Sequence, residues 1–200
     1  MEARPPAHFV PPHFALPHPP RGPGFFLTPL RLAYNEGDLE AWSSSVNHIH
    51  ATAGFAGHPW PDEPMTLERN ARDLSEHEDD FAHRRGFTYS VLSDPGDEVI
   101  GCVYIYPSLS DEVEADVRSW VRATRAALDA PLYATVLEWL QAEWPFATFE
   151  YAPRDLTETA QPAVTESAVT ESAVTESAVT ESAVTEPGVA QPGVDPPATS

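Results

Sequence analysis

The residues in this 200-residue chain best suited to metal or nucleophilic chemistry are eight histidines and one cysteine, and their spacing argues against both uses. His77-Glu78 begins like a zinc-protease helix, where two histidines four residues apart share a face, but the position four residues on is Phe81. His83 lies further along and faces elsewhere. His48 and His50 flank one isoleucine and so point to different sides of a helix. His8, His13 and His18 recur in a proline-rich stretch with nothing to pre-organise them. Cys102 stands alone in the apolar run Val99–Tyr106, which excludes an intrachain disulfide and a cysteine zinc site. No metal is expected.

Charge sets a second bound. The net charge is −20, and all 11 basic residues are arginine. Eight carboxylates fall in residues 155–200, so the remainder still carries 23 acidic residues against the 11 arginines. Such a surface repels nucleic acid and anionic membranes and favours a cationic or amine-bearing partner. The N-terminus lacks the apolar stretch of a signal peptide, and no run approaches the roughly 18 apolar residues of a membrane span. The expected location is cytoplasmic, with neither a nucleic-acid nor a membrane partner.

The elements that must position any chemistry lie in the middle of the chain. Thirteen of the 22 prolines fall outside residues 25–154, while all five tryptophans and all six tyrosines fall inside. One α/β domain over 25–154 is expected, between a Pro/His-rich tail (1–24) and an acidic tail (155–200), both disordered. Ser-Ala-Val-Thr-Glu repeats four times from Ser167 to Glu186. Five residues turn a helix by about 500°, so successive valines never build one apolar face, and one small valine per unit cannot offset the entropy of ordering it.

Within the domain, Phe25–Leu32 reads as an edge strand because of Pro29. Asn35, with Asp38 three residues on, reads as the cap of a helix through Leu39, Trp42, Val46 and Ile49. After an irregular loop, Gly54–Pro64, Thr66 caps a second helix carrying Leu67, Ala71, Leu74, Phe81 and Ala82 inward and ending at Gly86. Phe87–Leu92 and Val99–Tyr106 should pair antiparallel across the turn Ser93–Asp97, with Ala115–Arg122 as a fourth strand. Asp129-Ala-Pro131 opens a third helix ending at Trp144-Pro145, and Phe146–Tyr151 closes the unit as a parallel strand.

This β-α-α-β-β-β-α-β order over about 130 residues resembles the GNAT superfamily of N-acetyltransferases from first strand to fifth. Val99-Ile-Gly-Cys-Val-Tyr-Ile105 is similar to its third strand, and Val121-Arg-Ala-Thr-Arg-Ala-Ala127 falls where its pyrophosphate loop should be. The resemblance implies a GNAT-like mixed sheet lacking the usual last helix and two strands. It also implies acetyl-CoA as co-substrate and a small-molecule or protein amine as acceptor. The family loop runs Gln or Arg, two variable residues, Gly, one variable residue, then Gly or Ala. Here Arg122 and Ala127 match, and Arg125 replaces the central glycine.

By that resemblance Trp120, Val121, Arg122, Arg125, Ala126 and Ala127 form the cofactor-binding segment, and His58 and Trp60 line the acceptor pocket. The tyrosine acid that many members place beyond the fifth strand is absent from residues 155–200. Asp116 or Glu114 as base and Tyr133 as acid are the substitutes. A homodimer through the exposed last strand is also expected. The alternative is a non-catalytic domain of this fold that binds a cofactor or protein.

Overall fold

The computed structural model describes residues 9–61 and 65–156; the repeats and His8 lie outside them. The elements are β1 (Arg21–Gly22), β2 (Phe25–Pro29), α1 (Asn35–Ser43), α2 (Val46–Ala51), α3 (Leu67–Ala82), β3 (Phe87–Ser93), β4 (Val99–Pro107), β5 (Ala115–Val121), α4 (Asp129–Glu143) and β6 (Phe149–Tyr151). They build a six-stranded sheet in sequential order, antiparallel throughout except for the parallel β5–β6 pair. This is the expected GNAT-like α/β topology, with a two-residue strand added at the front and β6 at the edge. No helix among the described residues is long and apolar enough to cross a membrane.

Alternation along the central strands divides the core in two. Val103 and Ile105 of β4 and Val117 and Val121 of β5 join Leu132, Val136, Trp139 and Leu140 of α4. Cys102, Tyr104 and Trp120 point to the other face, packing with Ala41 and Trp42 of α1 and Leu74 of α3. A bulge at Val91/Leu92 shifts the β3–β4 register by one residue. Gly101 lets β5 approach closely there, since a Cβ would meet the Trp120 carbonyl oxygen at 2.1 Å.

Two sequence expectations are corrected. The first helix breaks at Ser44–Ser45, so that α2 starts anew at Val46. Asp38 does not belong to a capping box: the α1 terminus carries no side-chain cap, and Asp38 is buried. By contrast, the Thr66 hydroxyl accepts from the Arg69 amide at 3.2 Å, as its position before α3 predicts.

The second correction concerns the N-terminal boundary. Residues 9–24 are not a disordered tail. Val10 is 1% exposed, and Phe9 stacks on Phe146 with ring centroids 4.9 Å apart. The Phe9 amide donates to the Arg84 carbonyl at 3.0 Å, Phe14 leans on Trp144, and Arg84 also donates to the Phe14 carbonyl. Prolines forbid a helix here, but an extended chain can lay successive apolar side chains across a finished core without one. Val10→Ala should therefore lower the unfolding free energy by about 2 kcal/mol, read as a lower urea midpoint at unchanged m. A disordered tail would leave the midpoint unmoved.

Candidate active site

β5 and β6 are paired only at Ala115↔Phe149, Asp116↔Glu150 and Val117↔Tyr151. Glu114 sets this register: its carboxylate accepts from the Ala147 amide at 2.5 Å and its own amide donates to the Thr148 carbonyl at 3.1 Å. β6 is paired over its whole length and ends at Tyr151, so the β5 backbone from Arg118 to Val121 runs on without a β6 partner. α4, the crossover helix between them, opens beside that gap.

The gap is bridged by a residue that the sequence reading did not single out. Arg154, with its side chain 5% exposed, donates to the Ser119 carbonyl at 2.9 Å and to the Ala152 carbonyl at 2.6 Å. Its Nε pairs with Asp129, the first residue of α4, at 2.7 Å. Ser119 and Tyr151 exchange a hydroxyl hydrogen bond of 2.6 Å beside it. Tyr133, the expected acid, is 7% exposed and packs against Tyr151 with tilted rings 4.7 Å apart, the Arg154 guanidinium lying 5.7 Å from its ring. Tyr133 thus braces the arginine bridge.

Residues 123–128, between β5 and α4, form a 3-10 turn in which Arg125 has φ −121° and ψ 22°. An L-residue adopts that conformation without strain, so the missing glycine is not needed for this shape. Arg122 is nearly buried and pairs with Glu98 at 2.9 Å and Glu40 at 2.6 Å; Arg125 pairs with Glu98 at 2.6 Å. The Ala123 amide donates to the Ser45 hydroxyl at 2.9 Å. Both loop arginines are therefore already neutralised by this chain's carboxylates, and a phosphate would have to compete with Glu98. Ala126 and Ala127 are exposed, whereas Trp120 and Val121 are buried on opposite faces.

On the α1/α3 face lies a cavity of about 500 Å³, a volume typical of small-molecule sites. Strand alternation delivers Tyr104, Tyr106, Asp116 and Arg118 to it, and α3 supplies Asp73, His77 and Asp80, which share one helical face. His58 and Trp60 line it from the loop after α2. Trp60 also closes the core, with ring centroids 5.8 Å from Trp42 and from Phe55 and 5.9 Å from Trp120. The His58 Nδ1 accepts from the Trp60 amide at 3.1 Å, fixing the loop from within.

Four ionisable groups in the cavity are perturbed, and burial raises two of them, the Tyr104 and Tyr106 hydroxyls. Burial raises Asp38 above the usual carboxylate range, although its carboxylate accepts from the Asn70 amide at 3.0 Å and from the Cys102 thiol at 3.5 Å. Burial lowers His77 below 6.5, outweighing the opposing pull of Asp80, Asp73 and Glu76. The Tyr106 hydroxyl donates to Asp80 at 3.1 Å and lies 2.7 Å from the His77 Nδ1. The Thr88 hydroxyl lies 3.2 Å from the same Nδ1, so that nitrogen is engaged by the protein and Nε2 is the ring nitrogen left for a ligand. Gly86 makes room for this ring, because a Cβ there would meet Tyr106 at 2.2 Å.

Of the proposed site residues, the structure brings Asp116, His58 and Trp60 to one cavity. Asp116 is held by Arg118 at 2.7 Å, and Glu114 is engaged with the start of β6 away from the cavity lining. Asp38, His77, Tyr106 and Arg154 were missed. His77 had a usable signal in its spacing from Asp73 and Asp80. Arg154 had none, since its partners lie 25 and 35 residues away.

No protein-family model matches the chain, and none of the curated proteins is similar to it. Among solved structures, a ribosomal-protein-S5-alanine acetyltransferase from Vibrio fischeri is similar at 11% identity and TM-score 0.47, over 62% of this chain and 67% of that one. RimJ from Mycobacterium smegmatis, in complex with CoA-disulfide, is similar at 19% identity and TM-score 0.46, over 63% of this chain and 61% of that one. The microcin C7 self-immunity acetyltransferase MccE, in complex with acetyl-CoA and AMP, is similar at 14% identity and TM-score 0.46, over 59% and 61%. This chain thus spans about three-fifths of the length of the latter two.

Proposed function

We propose that the domain is an acetyl-CoA-dependent N-acetyltransferase acting on an amine seated in the α1/α3 cavity. One observation carries this reading: β5 runs on past the end of β6 beside a cavity whose wall includes Asp116 and Arg118 of the same strand. A thioester laid along the unpaired backbone of β5 would present its carbonyl to that cavity. Its backbone amides suit polarisation of the carbonyl oxygen, because fixed donors in a water-poor slot stabilise developing negative charge strongly.

His77 is the base in this reading. Attack requires a neutral amine, so a proton must leave the nitrogen as its lone pair forms the C–N bond and the C–S bond breaks. The Nε2 lone pair accepts that proton, while Tyr106 and Asp80 hold the ring by Nδ1 and stabilise the imidazolium. The proton then passes to the departing thiolate, leaving an amide and a free thiol. Acetyl-CoA supplies the activated acyl group and nothing more is asked of it.

The co-substrate fits the backbone arrangement with one condition: the Arg154 side chain must swing out. A flexible side chain can do so without rebuilding the fold, at the loss of its Asp129 pair and its bonds to Ser119 and Ala152. The same arginine favours a second reading, in which this is a non-catalytic module of the fold with its acyl-donor slot permanently closed.

The test uses the full chain, since residues 9–24 belong to the core. Calorimetric titration with acetyl-CoA should give binding that tightens about tenfold in Arg154→Ala, a change of about 1.4 kcal/mol, with thiol released in an amine panel. Binding without thiol release selects the module. No binding by either protein removes acyl transfer.

A separate expectation concerns His77. His77→Gln should lower kcat by roughly 10²–10⁴ at unchanged acetyl-CoA affinity. In the wild type, kcat/KM should fall on acidification through a pKa below 6.5. Stability should follow the same sign, because below 6.5 the unfolded chain takes up a proton that the buried imidazole refuses. A flat profile down to that range would remove His77 as the base.

A further inference from the structure

The cavity is unusual in what covers its deepest carboxylate. Asp38 is 5% exposed yet lines the cavity, and among the described residues no arginine or histidine pairs with it. Its partners are a neutral amide, Asn70, and a neutral thiol, Cys102. A buried carboxylate so placed lacks the counter-charge that normally offsets its desolvation.

The rings around it are arranged to accept that counter-charge from outside. Trp42, Trp60 and Tyr104 all line the cavity, with Trp60 5.8 Å from Trp42 and 6.3 Å from Tyr104. The Trp42 indole nitrogen is engaged by Asn70 at 3.1 Å, and the Trp120 nitrogen donates to the Tyr104 hydroxyl at 3.2 Å. Aromatic faces of this kind attract an ammonium ion through their quadrupoles and shield an alkyl chain from water. Asp73 and Asp80 line the cavity beyond the rings, and its one arginine, Arg118, is already paired with Asp116.

We infer that the ligand is an aliphatic diamine or polyamine, one ammonium group held at Asp38 inside the Trp42, Trp60 and Tyr104 wall, and a second nitrogen presented at His77. The two-nitrogen requirement rests on the acyl-transfer reading. An acceptor nitrogen must be neutral to attack, so the charge that the carboxylate and the rings recognise must reside on another nitrogen of the same molecule. Chain length between the two nitrogens then becomes the specificity determinant.

The full chain is titrated with 1,4-diaminobutane, 1-aminobutane and 1,4-butanediol, without acetyl-CoA, following tryptophan fluorescence and heat. The expected result is diamine binding at least about tenfold tighter than the monoamine, with no measurable binding of the diol. Asp38→Asn should weaken the diamine by about tenfold or more while leaving monoamine and diamine nearly equal. Trp60→Ala, at a partly exposed position, provides a second variant with the same expected direction should Asp38→Asn fail to fold. Equal affinity for diamine and monoamine in the wild type overturns the proposal, as does undiminished diamine affinity in a folded Asp38→Asn or Trp60→Ala chain. Absence of any diamine binding does the same. A lysine-containing peptide that binds tighter than every free diamine would also overturn it, by making a macromolecule the ligand. Thiol release is then measured after acetyl-CoA is added to the diamine-loaded protein: diamine binding without it sinks acyl transfer and leaves the cation site standing.

Discussion

The arrangement depends on two neighbouring strands ceasing to pair. β6 ends after three residue pairs while β5 continues, so the edge of β5 from Ser119 onward must find partners elsewhere. An unpaired carbonyl in a dry interior is costly, and the chain satisfies the one at Ser119 with a guanidinium from beyond the last strand. Arg154 thereby ties β5, the start of α4 and the chain after β6 to one point. A bound molecule with its own amides and carbonyls would satisfy the same backbone, which makes the arginine and such a molecule competitors for one set of groups.

The same competition extends along the turn before α4. A phosphate site usually offers free amides and unpaired cations. Here the Ala123 amide is held by Ser45, and Arg122 and Arg125 converge on Glu98. Ser45 is available because α1 and α2 are broken at that point, so the break in the first helix and the closed state of the loop are one structural fact. In a chain this acidic, arginines find internal carboxylates readily, and their presence beside a helix start is weak evidence for an anion site.

Much of the architecture was legible because its signals are local. Thr66 before an amphipathic run, Asp-Ala-Pro at the start of α4, and strict alternation in Ala115–Val121 each encode their element within a few residues. The packing of residues 9–24 was obscured by their prolines, although Phe9, Val10 and Phe14 were the clue that an extended segment had something to bury. The site was less legible because its key groups act across the fold. Asp38 reads locally as a capping residue, and only the tertiary structure sets it 3.5 Å from Cys102. His77 reads as half of a failed metal motif, and only β4 supplies the tyrosine that engages its Nδ1.

The two faces of the sheet therefore carry different burdens. Against α4 the packing is mainly apolar, and apart from the Arg154 bridge this face can hold the domain together without specific chemistry. Against α1 and α3 the chain keeps Asp38, Asn70 and the His77 relay beside the aromatic cluster, though apolar residues there would be easier to bury. Buried polar groups with incomplete charge balance are poor stabilisers, so their concentration on one face, around one cavity, separates the part of the molecule that folds from the part that recognises.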